Sequence, residues 1–381
     1  MKTVKNGIDR IDEYIHLFEN KRIGLITNPT GINKNGVSTV DILHKIGCLE
    51  CLFSPEHGVR GDTQAGGHID NYTDKITGLP VYSLYGGRFN IPADVLARLD
   101  AVAFDIQDIG ARYYTYMYTL SYAMEDCAAA GIPFIVLDRI NPLGGAQAQG
   151  NILSSEFSSF VGRYPLATRH NFTMGEYAGY INSVFGIGCK LEVVPLDGWE
   201  RNMLFPQCSL LWVPPSPNIP TFETALCYVG TCLFEGTNVS EGRGTTRPFE
   251  CIGAPWLDGE WVAREFNSGG HEGVIARGCY FTPTFSKYQG VSCGGVFLHI
   301  TDHNSFRPFE CGLYLLEIIR KTHSEFSFTP AWKEGEKSFI ELLFGSDEIL
   351  KNNFSASRYL GNQKPLLEKH METAKKYYLY K

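Results

Sequence analysis

The sequence predicts an α/β protein whose amino-terminal part is a Rossmann-like parallel sheet, followed by a second α/β domain. Short apolar runs that each end in polar residues alternate with helix-period stretches over the first 150 residues. Beyond residue 150 the alternation loses its regularity. Strands separated by helices argue for a parallel sheet with right-handed crossovers.

The strand-like runs are residues 22–27, 49–53, 101–106 and 133–137, and the clearest helical stretch between them is 111–130. After the first run, Asn28-Pro29-Thr30-Gly31 lacks the three-glycine spacing that lets a backbone approach a pyrophosphate, and the chain contains no Walker lysine motif. No nucleotide cofactor is expected. Past residue 150, helices are expected at 172–185, 221–234, 307–321 and near the carboxyl end, and strands at 190–195, 273–279 and 294–300. The proline-rich stretch 212–220 interrupts them. The expected domains are 1–150 and 151–381.

Composition sets the frame. The 381 residues are 44% hydrophobic and 20% charged, ordinary for a chain able to bury large cores. Thirty-four basic against 41 acidic residues leave a net charge of -7, which argues against nucleic acid as a partner. No run approaches the roughly 18 apolar residues of a membrane span. The amino terminus carries no apolar signal-peptide core, so the sequence as written points to the cytoplasm. Eleven irregularly spaced cysteines fit reduced core thiols, and the single C-x-x-C pair, Cys48 and Cys51, reads as packing.

Four strand-end or loop clusters carry the polar residues a site would need. Parallel sheets bind ligands outside the carboxyl ends of their strands, where loops converge. The first cluster, Leu-Phe-Ser-Pro-Glu-His-Gly-Val-Arg-Gly, supplies Glu56, His57 and Arg60. In the second, Asp105, Asp108, Arg112 and Tyr114 lie where a strand passes into the long helix. Asp108 also suits a helix N-cap. A carboxylate in a buried strand needs a compensating charge, so Asp105 either pairs with Arg112 or faces a substrate. Tyrosines 113, 114, 116 and 118 read mostly as core, with one or two free to stack on a sugar.

The third cluster, Asp138-Arg139-Ile140-Asn141-Pro142-Leu143-Gly144-Gly145, is either a tight turn in which Asp138 bonds the backbone or part of a site. The fourth spans residues 235–247 and holds Asn238, Glu241 and Arg243 between glycines that allow close approach to a ligand.

In this order the motifs Ser-Pro-Glu-His-Gly-Val-Arg-Gly, Asp-Ile-Gln-Asp-Ile-Gly-Ala-Arg-Tyr-Tyr-Thr-Tyr, Leu-Asp-Arg-Ile-Asn-Pro-Leu-Gly-Gly and Glu-Gly-Thr-Asn-Val-Ser-Glu-Gly-Arg-Gly-Thr resemble a known family. It is the NamZ-type exo-β-N-acetylmuramidase family, glycoside hydrolase family 171, formerly a domain of unknown function. The resemblance covers nearly the whole chain from about Gly7. It implies two domains with the site in the cleft between them. The implied reaction is release of terminal β-linked N-acetylmuramic acid (MurNAc) from the non-reducing end of peptidoglycan fragments, and Glu56 is the implied catalytic group. Many relatives are exported, which sets the compartment apart from the chemistry.

Glycoside cleavage needs an acid at the leaving oxygen and a negative or nucleophilic group at the anomeric carbon. Glu56 suits the first role. The second falls to Asp105, then Glu241, orienting the acetamido group of the sugar. The lactyl carboxylate of MurNAc needs a cation, with Arg243, Arg60 and Arg112 as candidates because a guanidinium matches a carboxylate with two bonds. His57, Asp108, Tyr114, Asp138 and Asn238 complete the expected substrate contacts with a muro-oligosaccharide. Two other readings remain at the level of sequence: a metal-assisted hydrolase or amidase using His57, His68 and Asp70, and a non-catalytic sugar-binding protein. No spacing suggests a metal, and nothing indicates an oligomeric state.

Overall fold

The computed structural model describes residues 3–56, 58–60, 71–86 and 89–381. In chain order the first part runs β1 (Ile23–Thr27), α1 (Thr39–Ile46), β2 (Leu49–Ser54), β3 (Tyr72–Thr73), β4 (Pro80–Ser83), α2 (Ala93–Leu96), β5 (Ala101–Asp105), α3 (Tyr116–Ala130) and β6 (Phe134–Leu137). There follow β7 (Gln149–Ile152), β8 (Ala167–Arg169), α4 (Met174–Val184) and β9 (Leu191–Val194). Seven of these strands form one sheet in the order β3-β4-β2-β1-β5-β6-β9, parallel except for the β3–β4 pair.

The four expected amino-terminal strands are where the apolar runs placed them, because central parallel strands bury both faces and read as continuous hydrophobic segments. Ile23 and Leu25 of β1 join Ala101, Ala103, Ile135 and Leu137 in one core layer. Ile26, Val102, Phe104, Phe134 and Val136 join the other, which continues without a break into the rest of the molecule.

The sheet crosses the expected boundary at residue 150, since its edge strand β9 lies at Leu191–Val194. The second part comprises α5 (Phe222–Thr231), β10 (Cys251–Ala254), α6 (Gly259–Ser268), β11 (Val274–Phe281), β12 (Cys293–Ile300), α7 (Pro308–Thr322), α8 (Phe339–Phe344) and α9 (Ala356–Ala374). Strands β10, β12 and β11 pair antiparallel in that order. Helices α5 and α7 meet backbone to backbone at Gly230, where an added Cβ would lie 1.9 Å from the Pro308 carbonyl oxygen. The carboxyl terminus returns to the large sheet, where Tyr380 Oη donates to Asp138 at 2.5 Å.

The long helix starts at Tyr116 rather than near residue 111. Residues ahead of it make tertiary bonds instead of helical ones. Asp108 does not cap the helix; it accepts from Gly110 N at 2.6 Å and lies 3.0 Å from His170 Nε2. Cys48 and Cys51 are buried free thiols, and burial pushes them up to about 11 and about 12 respectively. Among the described residues no helix is long and apolar enough to cross a membrane.

Candidate active site

Strand register builds the first half of the site. In the parallel pair β2–β4, Ser54 lies opposite Ser83. Glu56 and Tyr85 each sit two residues past that pair, so the two strand ends deliver their side chains together. Tyr85 Oη donates to Glu56 Oε1 at 2.9 Å, and Thr115 Oγ1, just ahead of α3, donates to Oε2 at 3.3 Å. Burial, and then the Glu56 carboxylate beside it, raise the Tyr85 phenol far above its ordinary value and keep it a donor.

Glu56 and Tyr85 line a cleft of about 140 Å³ with Tyr113, Tyr114, Tyr116, Tyr228, Phe249 and Arg243 among its walls. That is below the roughly 300 Å³ at which drug-sized pockets begin, so the cleft suits a single ring-sized group. The tyrosines brace one another edge to face: Tyr114 with Tyr116 at 5.1 Å, Tyr113 with Tyr228 at 5.7 Å, and Tyr228 with Phe249 at 4.7 Å. Tyr116 donates to the Pro215 carbonyl at 2.6 Å and Tyr113 to the Val229 carbonyl, which fixes both rings. Tyr114 stands next to Ser216.

The second half comes from the segment after α5. A 3₁₀ turn, Cys232–Gly236, carries Glu235 into the cleft, and the loop behind it folds back through left-handed Gly242 (φ 81) and Gly244 (φ 83). Arg243 Nη2 donates to Glu235 Oε1 at 2.7 Å, and its Nε lies 3.5 Å from Glu241 Oε1. Lys287 Nζ holds the other Glu241 oxygen at 3.0 Å while also donating to the Phe234 and Val239 carbonyls. Burial raises the Glu235 carboxyl; Arg243 opposes the rise and Glu241 adds to it. Burial alone would lower Arg243, but Glu235 and Glu241 outweigh it and hold the guanidinium charged. Two carboxylates and two cations thus balance at the cleft wall.

Of the residues the sequence singled out, Glu56, Tyr114 and Arg243 meet in this cleft, and Glu241 steadies Arg243 from behind. The others are held elsewhere. Asp105 is fully buried and pairs with Arg139, not Arg112: Nε to Oδ1 is 2.5 Å and Nη2 to Oδ2 is 2.9 Å, with Thr39 Oγ1 also donating to Oδ2. The reason is adjacency, since β5 and β6 are neighbours and Arg139 emerges from the end of β6.

Arg112 spends its guanidinium on the carbonyls of Asn151, Leu166, Leu343 and Phe344 at 2.9 to 3.2 Å, tying both halves together. Asp138 braces the first turn of α4, whose cap is Thr173, accepting from Gly175 N at 2.7 Å and Thr173 Oγ1 at 2.8 Å. Arg60 forks onto Asp74 with two bonds of 3.1 Å. Burial alone would raise Asp74, but Arg60 and Thr77 hold its carboxyl down at about 2. Asn238 ties its loop to the Glu325 carbonyl at 2.7 Å and to Ser327 N at 2.9 Å. His57, His68 and Asp70 lie outside the described residues, and among the described residues no cluster of three or more potential metal ligands occurs.

Sequence reasoning did not single out Tyr85, Thr115, Tyr228 or Glu235. Thr115 lay unremarked inside the second quoted motif, and Glu235 carried a signal as the acid at the head of the 235–247 cluster.

Comparison with known proteins fits this geometry. Residues 23–223 match the family described as exo-beta-N-acetylmuramidase NamZ, N-terminal, and residues 226–380 match its C-terminal counterpart. Glu56 comes from the first match and Glu235 and Arg243 from the second, so the cleft lies between the two. The chain is 44% identical over 384 residues to the peptidoglycan beta-N-acetylmuramidase NamZ of Bacillus subtilis (strain 168), covering 99% of this chain and 91% of that protein. A crystal structure of a DUF1343 family protein from Bacteroides fragilis NCTC 9343 superposes with a TM-score of 0.90 at 34% identity, covering 100% of both chains. A second such protein from the same organism gives 0.80 at 29% identity over 99% of each chain. With both halves matched and a relative of this identity aligned along nearly its whole length, the chain belongs to the NamZ exo-β-N-acetylmuramidase family.

Proposed function

We propose that this protein is an exo-acting glycosidase that releases terminal β-linked MurNAc from the non-reducing end of peptidoglycan-derived muro-oligosaccharides. The observation that carries the proposal is Glu56, held by Tyr85 and Thr115 in a tyrosine-walled cleft that also presents Glu235 and Arg243. Membership of the family supports it.

In this reading Glu56 protonates the leaving oxygen, the first requirement of glycoside cleavage. Asp105 is unsuited to the second role because Arg139 and Thr39 already occupy its oxygens. The carboxylate that replaces it is Glu235. It accepts the acetamido N–H while the acetamido oxygen attacks the anomeric carbon, and a carboxyl raised by burial is the better base for that proton. Glu56, now ionised, then draws a proton from the water that opens the ring, with net retention. Arg243, with 22% of its side chain exposed, supplies the cation for the lactyl carboxylate.

The test is product analysis by mass spectrometry on a MurNAc-terminated tetrasaccharide. Free MurNAc and a trisaccharide are expected first. Internal cleavage into two disaccharides would contradict exo action.

A further inference from the structure

Three aromatic rings step out from the cleft to the surface. Phe160 and Phe339 line the cleft itself, and their ring planes lie within 12° of each other at a centroid spacing of 6.3 Å. Phe339 is in turn nearly parallel to Trp332, at 18° and 6.2 Å. The outer rings are strongly exposed, Phe160 at 42% and Trp332 at 76%. An exposed indole is costly to solvate and packs no core here, so a contiguous exposed patch of this kind marks a binding surface.

Each ring is set by local structure. Phe160 sits in a tight turn closed by the Ser159 N to Gly162 carbonyl bond of 2.8 Å. Phe339 is the first residue of α8, directly after the capping Ser338, whose side chain meets Glu341 at 2.6 Å. The loop that carries Trp332 is tied to the catalytic wall, because Thr329 N donates to the Gly236 carbonyl at 2.9 Å, one residue from Glu235.

We propose that Phe160, Phe339 and Trp332 form the subsite for the leaving saccharide, stacking the apolar C–H faces of the hexosamine rings that follow the terminal MurNAc. The cleft holds one ring, and the aromatic steps continue from its rim, so the second and later sugars of a chain meet them in succession. Phe160 and Trp332 keep exposed ring surface for a β-linked glycan, whose sugar rings are apolar on their faces. This deepens the glycosidase reading and rests on it. It makes an oligosaccharide, rather than a simple glycoside, the preferred substrate.

The experiment compares full-length wild type with Trp332→Ala on an aryl β-N-acetylmuraminide and on a MurNAc-terminated tetrasaccharide. Loss of one stacking ring should lower kcat/KM for the tetrasaccharide by about fivefold or more beyond any change on the aryl glycoside, mainly through KM. Equal changes on both substrates would overturn the proposal. A second measurement needs no turnover: tryptophan fluorescence titration of Glu56→Gln with the tetrasaccharide, with and without Trp332→Phe. Quenching that depends on Trp332 supports the subsite, and identical quenching in its absence overturns it. Failure of wild type to cleave either substrate would instead strike the glycosidase reading.

Discussion

Tyr85 donates its phenolic hydrogen to Glu56 Oε1 across 2.9 Å because β2 and β4 run parallel with Ser54 opposite Ser83. A hydrogen bond to the protonated acid that starts the reaction is worth about 0.5 to 1.5 kcal/mol. Tyr85→Phe should therefore lower kcat/KM on an aryl muraminide by about three- to tenfold, with the melting temperature little changed. Activity within twofold of wild type would remove Tyr85 from the positioning of Glu56.

Glu235 and Asp105 separate by what their loss does. Glu235→Gln should fold and lower kcat more than it raises KM, since its contact with the acetamido group strengthens in the transition state. Asp105→Asn strands Arg139 in the core, a break that costs about 3 to 5 kcal/mol, and should show first as a lower melting temperature. A stable Asp105→Asn enzyme with kcat reduced a hundredfold would reverse this assignment.

Selectivity tests Arg243. Arg243→Ala should weaken muraminide hydrolysis by about 2 to 5 kcal/mol in transition-state terms, the range for removing one partner of a buried charge pair. Glucosaminide turnover should fall much less. Because the change also frees Glu235 and Glu241, circular dichroism of the variant belongs beside the kinetics. Equal loss on both sugars would mean that Arg243 only shapes the loop.

Burial of Asp138 gives stability a pH dependence. Burial raises its carboxyl to about 7; bonds from Tyr380 and Gly175 oppose the rise, and nearby Glu176 adds to it. The folded pKa is above the unfolded value of about 3.9, so the folded state binds the extra proton. This contribution is complete below about pH 4 and is lost as pH rises to about 7, on the order of 4 kcal/mol over that window. Asp138→Asn should flatten the fall in melting temperature between pH 4 and pH 7. An unchanged slope would show that another group titrates there.

Most strands of the sheet were legible because β1, β5 and β6 are buried throughout and β2 is interrupted only by exposed Glu50, so all four read as short apolar runs. β4 was not, since Pro80–Ser83 offers only Val81 as a fully buried hydrophobe beside a proline, and with it went Tyr85. Glu56 was legible from its strand-end loop. The partner of Asp105 was not, because a strand-end carboxylate looks the same in sequence whichever arginine meets it. Strand order decides, and β6 beside β5 brings Arg139. Arg112 and the substrate reading of Asp138 failed for a related reason: both side chains serve groups far away in sequence, Arg112 the carbonyls from Asn151 to Phe344 and Asp138 the Gly175 amide and the Tyr380 hydroxyl. Glu235 lay in a cluster already flagged, but nothing local separates it from Glu241. Only the cleft does: Glu235 lines it, while Glu241 lies behind Arg243 and Lys287.

The central claim is that Glu56 cleaves a muraminide bond, and one comparison tests it most directly: wild type and Glu56→Gln, each checked for folding, on aryl β-N-acetylmuraminide and its N-acetylglucosaminide counterpart. The account predicts that wild type prefers the muraminide and that Glu56→Gln, folded as wild type, loses about 100-fold or more. A folded Glu56→Gln that keeps near-wild-type turnover on a substrate with a poor leaving group, or a wild type that leaves the muraminide intact, would contradict it.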